Sequence, residues 1–159
     1  MMNETKYCVL SIHEPWASLL AHGIKKNETR PRETRWRGIY LIHATANTDI
    51  TNAELKNPFT GSLILDNNIT LYPGHIVGAF RVKSCFKILY EDEEGFEVFN
   101  HHLNRFNIDN IELWLGSYCS GKYVWEGTDH RVLRYPIPYK GQQGYYNKYK
   151  GDKNKIIFL

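Results

Sequence analysis

The sequence predicts an α+β protein, a small mixed and mostly antiparallel β-barrel with two or three flanking helices. Three observations carry that expectation. Several apolar runs of strand length are separated by Gly, Pro and Asn, and a pair of segments instead shows helix-like apolar spacing. Eleven Tyr, seven Phe and four Trp add side chains that favour strands.

Taken in order, Tyr7-Cys8-Val9-Leu10-Ser11-Ile12 is a short apolar strand. A helix follows. Pro15 suits its first position, Glu14 sets a carboxylate at its positive end, and Trp16, Leu19 and Leu20 form one apolar face. Gly23 stands where a left-handed residue would stop the helix, which lets Ile24 fold back on Leu19. Pro31 argues against a continuous helix in the charged stretch from Lys25 to Arg37. Gly38 to Ala44 is apolar on both alternating faces, as a central strand is.

Residues 45–73 are rich in Asn and Thr and read as a loop-rich insertion, with one helical turn near Ala53–Leu55. His75 to Phe86 alternates as a half-buried strand. From Glu91 to Phe106 the spacing of Phe96, Phe99, Leu103 and Phe106 predicts a helix, which would also carry His101 and His102. Tyr123–Trp125 and Arg131–Arg134 read as two short strands, and Ile156–Leu159 as a last one. The expected organisation is a single domain over 1–159, with a C-terminal extension at 147–159.

Composition excludes several function classes. At 42% hydrophobic and 23% charged, the chain is not a disordered one. Cys8, Cys85 and Cys119 are scattered and odd in number, so neither a disulfide framework nor a cysteine zinc site is expected. No metal or other cofactor is implied. Met1 to Tyr7 lacks a signal-like apolar stretch and no run reaches the ~18 apolar residues of a membrane span, so the expected compartment is the cytoplasm, or the nucleus in a eukaryote, with no membrane partner. The sequence leaves the oligomeric state open.

A net charge of +3 is too mild to indicate nucleic acid by itself, so its distribution matters. Lys25, Lys26, Arg30, Arg32, Arg35 and Arg37 are opposed locally only by Glu28 and Glu33. Such a run is often a solvated face. Folded back beside His13, Glu14 and Trp16, it would instead offer donors to phosphates, with Trp16, Trp36 and Tyr40 as stacking faces or walls. Trp16 is equally a core residue of its helix, and Glu28 a salt-bridge partner of Arg30 or Lys26.

Three segments make a resemblance recognisable: Leu10 to Leu20, the G-x-K-x-x-E-x-R element at Gly23, Lys25, Glu28 and Arg30, and Trp36 to Ala44. Gly78 to Val82 and the closing Pro136-Ile137-Pro138, Gly141-Gln142-Gln143-Gly144-Tyr145-Tyr146 agree in order. Together they resemble the ASCH family, over roughly residues 7–146. The resemblance implies a PUA-like β-barrel with a cleft at the G-x-K-x-x-E-x-R element for RNA, single-stranded nucleic acid or a modified nucleoside. With the basic run and the helix start folded onto that cleft, the residues expected at the ligand are Ser11, His13, Glu14, Trp16, Lys25, Glu28, Arg30, Arg35, Trp36 and Arg37. Where members often carry R-Q-P-W, this chain has His13-Glu14-Pro15-Trp16, which lowers the positive potential at that corner.

Some bacterial members are amidohydrolases acting on N4-acetylcytidine, and ribonuclease activity is attributed to others. In the amidohydrolases the functional set is Lys, Thr and Glu. Lys25 matches by register, Glu28 falls at the Thr position with Thr29 one residue on, and Glu91, Glu94, Glu97 and Glu112 are equal candidates for the Glu. Amide hydrolysis needs a base and a stabiliser for the developing oxyanion; Lys25 and Glu28 could fill these roles either way round. Their positions differ in strand parity, so they converge only if Lys25 acts from the Gly23 turn or across a bulge. An interaction domain docking a protein through the aromatic stretch Tyr135–Tyr149 is a third class.

Overall fold

The computed structural model describes residues 4–92, 95–99, 103–106 and 110–159. Strands β1 (Tyr7–Ile12) and β3 (Ile39–Ala44) pair in parallel at the centre of a mixed sheet. Every other pairing is antiparallel, with β2 (Glu28–Arg30), β4 (His75–Asp92), β7 (Tyr123–Pro138) and β8 (Asn147–Lys148) in the order β2-β7-β4-β3-β1-β8. Among the described residues β2 and β8 do not pair, so the expected barrel is an open sheet.

Burial of both faces explains why β1 and β3 are almost continuously apolar. Leu10, Ile12, Tyr40, Ile42, Phe80 and Trp125 fill one side, and Val9, Leu41, Ile76, Ala79 and Leu133 the other. Each fully buried aliphatic side chain of this kind contributes roughly 1.5–3 kcal/mol relative to exposure. Helix α1 (Trp16–Ala21) packs on the first face, burying Ala17 through Ala21. Gly78 makes room for it, since a Cβ there would come within 2.5 Å of the Ala21 Cβ.

The end of α1 follows the sequence expectation. Gly23 adopts φ +72°, its N–H bonds the Leu20 carbonyl, and the Ile24 N–H reaches back to the Leu19 carbonyl. Ile24 then packs in the same apolar cluster as Leu19.

Four expectations are corrected. Residues 45–73 are not mainly loop, because they hold α2 (Asp49–Leu55) and α3 (Pro58–Asp66). Asn57 caps α3 by accepting from the Phe59 N–H, and Pro58 sits in its first turn. The described residues of 91–106 are strand and not helix: β4 continues to Asp92, and β5 (Gly95–Phe99) pairs with both β4 and β6 (Leu103–Phe106). His101 and His102 lie outside the described residues. The two short strands after Tyr123 are one long strand, whose register against β4 shifts at three irregularities. The C-terminal tail contributes a single bridge, Leu133 to Phe158, while β8 pairs with β1.

Candidate functional site

Because β1 and β3 run in parallel, their C-terminal ends open at the same edge of the sheet, where open α/β sheets commonly place ligands. Ser11 Oγ and His43 Nδ1 share a hydrogen bond of 2.8 Å across that edge. His13 Nδ1 and Thr45 Oγ1 share another of 2.8 Å one step further out. His43 is buried and its Nε2 has no hydrogen-bond partner. Burial pushes its imidazole below the ordinary His value, opposed in part by the Tyr139 backbone.

The chain returns to this edge after the Gly23 turn. Lys25 approaches Glu28 from the turn and not from the strand, which resolves the parity conflict. Its Nζ lies 3.6 Å from Glu28 Oε1 and donates to the Asn27 carbonyl, with only 2% of the side chain exposed. Glu28 also accepts from the Thr29 N–H at 2.9 Å and from Arg30 Nη2 at 3.1 Å. Burial by itself would raise the Glu28 carboxyl. The Lys25 and Arg30 cations and the Thr29 N–H outweigh it and hold the group below the usual carboxylate range.

Helix α4 (Asn110–Leu115) fixes the Lys25 loop. The buried Glu112 carboxylate accepts the backbone N–H groups of Lys26 and Asn27, and the Tyr118 hydroxyl at 3.0 Å. Of the four candidate glutamates, Glu112 is thereby beside the G-x-K-x-x-E-x-R element. Glu91 and Glu97 lie on β4 and β5, and Glu94 is outside the described residues.

Two cavities meet here. The smaller, about 520 Å³, is lined by Trp16, Lys25, Glu28, Thr29, Glu54, Asn57 and Trp114 among others. The larger, about 1110 Å³, carries Arg32, Arg35 and Lys140 with Tyr139, Tyr145 and Tyr146, opposed by Glu33. Ser11, His13 and Arg30 line both. Arg30 forms the ridge between them. Its Nη2 also donates to the Ser11 carbonyl at 3.0 Å, and its guanidinium lies 5.9 Å from the Tyr145 ring centroid.

Seven of the ten residues expected at a ligand thus line this cleft: Ser11, His13, Trp16, Lys25, Glu28, Arg30 and Arg35. Glu14, Trp36 and Arg37 line neither cavity. Glu14 is wholly buried and accepts from the Ser18 N–H and hydroxyl, so it braces α1 from within. The Trp36 indole donates to the Ile39 carbonyl and packs on the core. Arg37 donates to the Thr34 and Trp36 carbonyls and ties its own loop.

Sequence reading missed Lys140, Tyr139, Tyr145, Tyr146 and Trp114 as cleft residues, whereas Arg32, expected among the donors of the basic run, lines the larger cavity. The closing Gly141–Tyr146 element was the available signal for the tyrosines and Lys140. Gly141 packs so closely over the Ser11–His43 pair that a Cβ would fall 2.5 Å from Ser11 Oγ. Nothing in the local sequence singles out Trp114.

The fold and its cleft define an α+β sheet domain with a charged, aromatic pocket where two parallel strands end. A family model, the ASCH domain, matches residues 10–155, and the chain belongs to that family. ASCH domains are PUA-like, of RNA-binding or hydrolase type. No curated protein matches the chain. Among the described residues no helix is long and apolar enough to cross a membrane.

Proposed function

We propose that this protein is a single ASCH domain over 1–159 that binds RNA or a modified nucleotide in the cleft divided by Arg30. One observation carries the reading: the Lys25, Glu28 and Arg30 side chains meet on one concave surface, where Arg30 faces both cavities. Within that trio the Glu28 anion is matched by two cations, which leaves net positive charge at the ridge. Arg32, Arg35 and Lys140 extend it into the larger cavity, where phosphates would find donors and the tyrosines would offer stacking faces.

The test is a titration of labelled single-stranded RNA over a range of salt. Lys25→Ala with Arg30→Ala is expected to weaken binding and lower the salt slope by roughly one to two. Because Lys25 is buried, Arg35→Ala with Lys140→Ala is a second, surface-sited pair with the same expected direction. Unchanged affinity in both folded variants would overturn the proposal.

A second reading has its own support, the 3.6 Å approach of Lys25 Nζ to Glu28 within a walled cavity. It is an amidohydrolase acting on N4-acetylcytidine-type nucleosides. In this reading Glu28 accepts the proton of the attacking water, Lys25 stabilises the oxyanion that forms on the acetyl carbonyl, and collapse breaks the C–N bond, the cytosine amine taking up that proton as acetate leaves. A carboxyl held below its usual range is a weak base, so slow turnover is expected. Release of cytidine from N4-acetylcytidine, lost in a folded Lys25→Ala variant, would favour it over simple binding. Cleavage of the RNA itself in the titration would point instead to a ribonuclease.

A further inference from the structure

We infer that the smaller cavity is a nucleobase subsite, taking one unstacked base of a single strand against Trp114 while the sugar-phosphate crosses the Arg30 ridge; the inference rests on the nucleotide-binding reading above. Trp114 is the feature that the fold leaves unexplained. Helix α4 is anchored by Leu115, buried with Leu19 and Ile64, and by Glu112 on the Lys25 loop. Those contacts already hold the helix, yet Trp114 stands 68% exposed at the rim of the 520 Å³ cavity.

The indole is supported from beneath. Its ring lies 6.2 Å from that of Phe59, tilted by 47°. Trp16, half-buried against the core, lines the same cavity from α1. An aromatic surface held in place at a cavity mouth is what sequence-tolerant base stacking requires, since every base has a flat face.

The polar groups around it suit the edge of a base more than an apolar peptide side chain. Asn57 uses its carbonyl oxygen to cap α3, which leaves its NH₂ as a donor. Glu54 accepts from the Thr60 hydroxyl through Oε1, which leaves its other oxygen as an acceptor. Both line the cavity beside Trp114. A donor and an acceptor at one rim match the mixed edge that bases present. The Lys25–Glu28 pair below them would be a poor floor for an aliphatic group.

The experiment compares a short single-stranded RNA with the same strand made abasic, by fluorescence anisotropy at fixed salt. Trp114→Ala is expected to weaken the intact strand by about ten-fold while leaving the abasic strand unchanged. Trp114→Phe should recover most of the loss, and the salt slope should stay at the wild-type value because no phosphate contact is removed. Equal weakening of both strands, or none, would overturn the base subsite while leaving the basic cleft standing. Failure of the wild type to bind either strand would overturn both readings together.

Discussion

Two buried glutamates, close in sequence, meet opposite surroundings. Glu14 is fully buried and receives only neutral donors, the Ser18 N–H at 3.1 Å, the Ser18 hydroxyl at 2.6 Å and the Tyr72 backbone. Burial wins there and pushes its carboxyl above the ordinary Glu value. Glu28, only 6% exposed, sits between Lys25 and Arg30 and is held below it. The magnitudes agree with this division. A unit charge about 4 Å away is worth about 4 kcal/mol at an effective dielectric of ~20, whereas a neutral hydrogen bond nets about 1 kcal/mol. Burial therefore does not identify a functional carboxylate; the charge beside it and the cavity in front of it do.

The sharpest way to break the contrast is Glu28→Ala. It leaves the Lys25 ammonium buried with only the Asn27 carbonyl as acceptor among the described residues, and should cost about 3–5 kcal/mol of folding stability. Replacing both partners, with Lys25→Met and Glu28→Leu, should recover much of that loss, because the charge then left without its carboxylate is only that of the partly exposed Arg30. Denaturant midpoints of the two variants measure the difference. A Glu28→Ala cost no larger than that of a Glu14 substitution would remove the distinction between the two corners.

A smaller loss is expected from Arg30→Lys. The guanidinium reaches the Glu28 carboxylate and the Ser11 carbonyl through one nitrogen and lies over Tyr145, a geometry an ammonium does not reproduce. The lost charged hydrogen bonding corresponds to about 1.5–3 kcal/mol, discounted because the side chain is 24% exposed. Thermal midpoints with and without RNA would separate its structural contribution from its contribution to binding.

The two corners also show what sequence can reveal. The helix stop at Gly23 was legible because φ above zero and the Ile24–Leu19 contact are local. The basic run was legible as a cleft wall because Lys25, Glu28 and Arg30 sit close in sequence, and a turn brings them together. Segment 91–106 was not, because a hairpin imitated a helix. Phe96 is in register with Phe106 and Phe99 with Leu103 across β5 and β6, and those spacings read along the chain resemble one helical face. Glu14 was misplaced for a related reason. A carboxylate at a helix start has the same sequence signature whether it faces solvent or, as here, bonds inward to Ser18. Trp114 and Tyr145 join the cleft through contacts distant in sequence, which spacing does not encode.

The gentlest test of the contrast is its pH dependence, because the two carboxyls shift in opposite directions from a common ordinary value near 4.5. Glu28 has a folded value below its unfolded one. Its contribution is present above about 4.5 and is lost as pH falls through the folded value. Glu14 has a folded value above its unfolded one. Its contribution is complete below about 4.5 and is lost as pH rises through the folded value. Glu14→Gln keeps an oxygen for Ser18 and removes the buried charge, so its stability relative to wild type should improve from pH 4 toward neutrality. Glu28→Gln should change in the opposite sense, its deficit shrinking as the medium becomes more acidic than about pH 4.5. Thermal midpoints of both variants against wild type across that range read the two slopes. Slopes of equal sign would mean that the neutral donors around Glu14 hold its charge as well as Lys25 and Arg30 hold that of Glu28, and the cations would lose their special standing in the cleft.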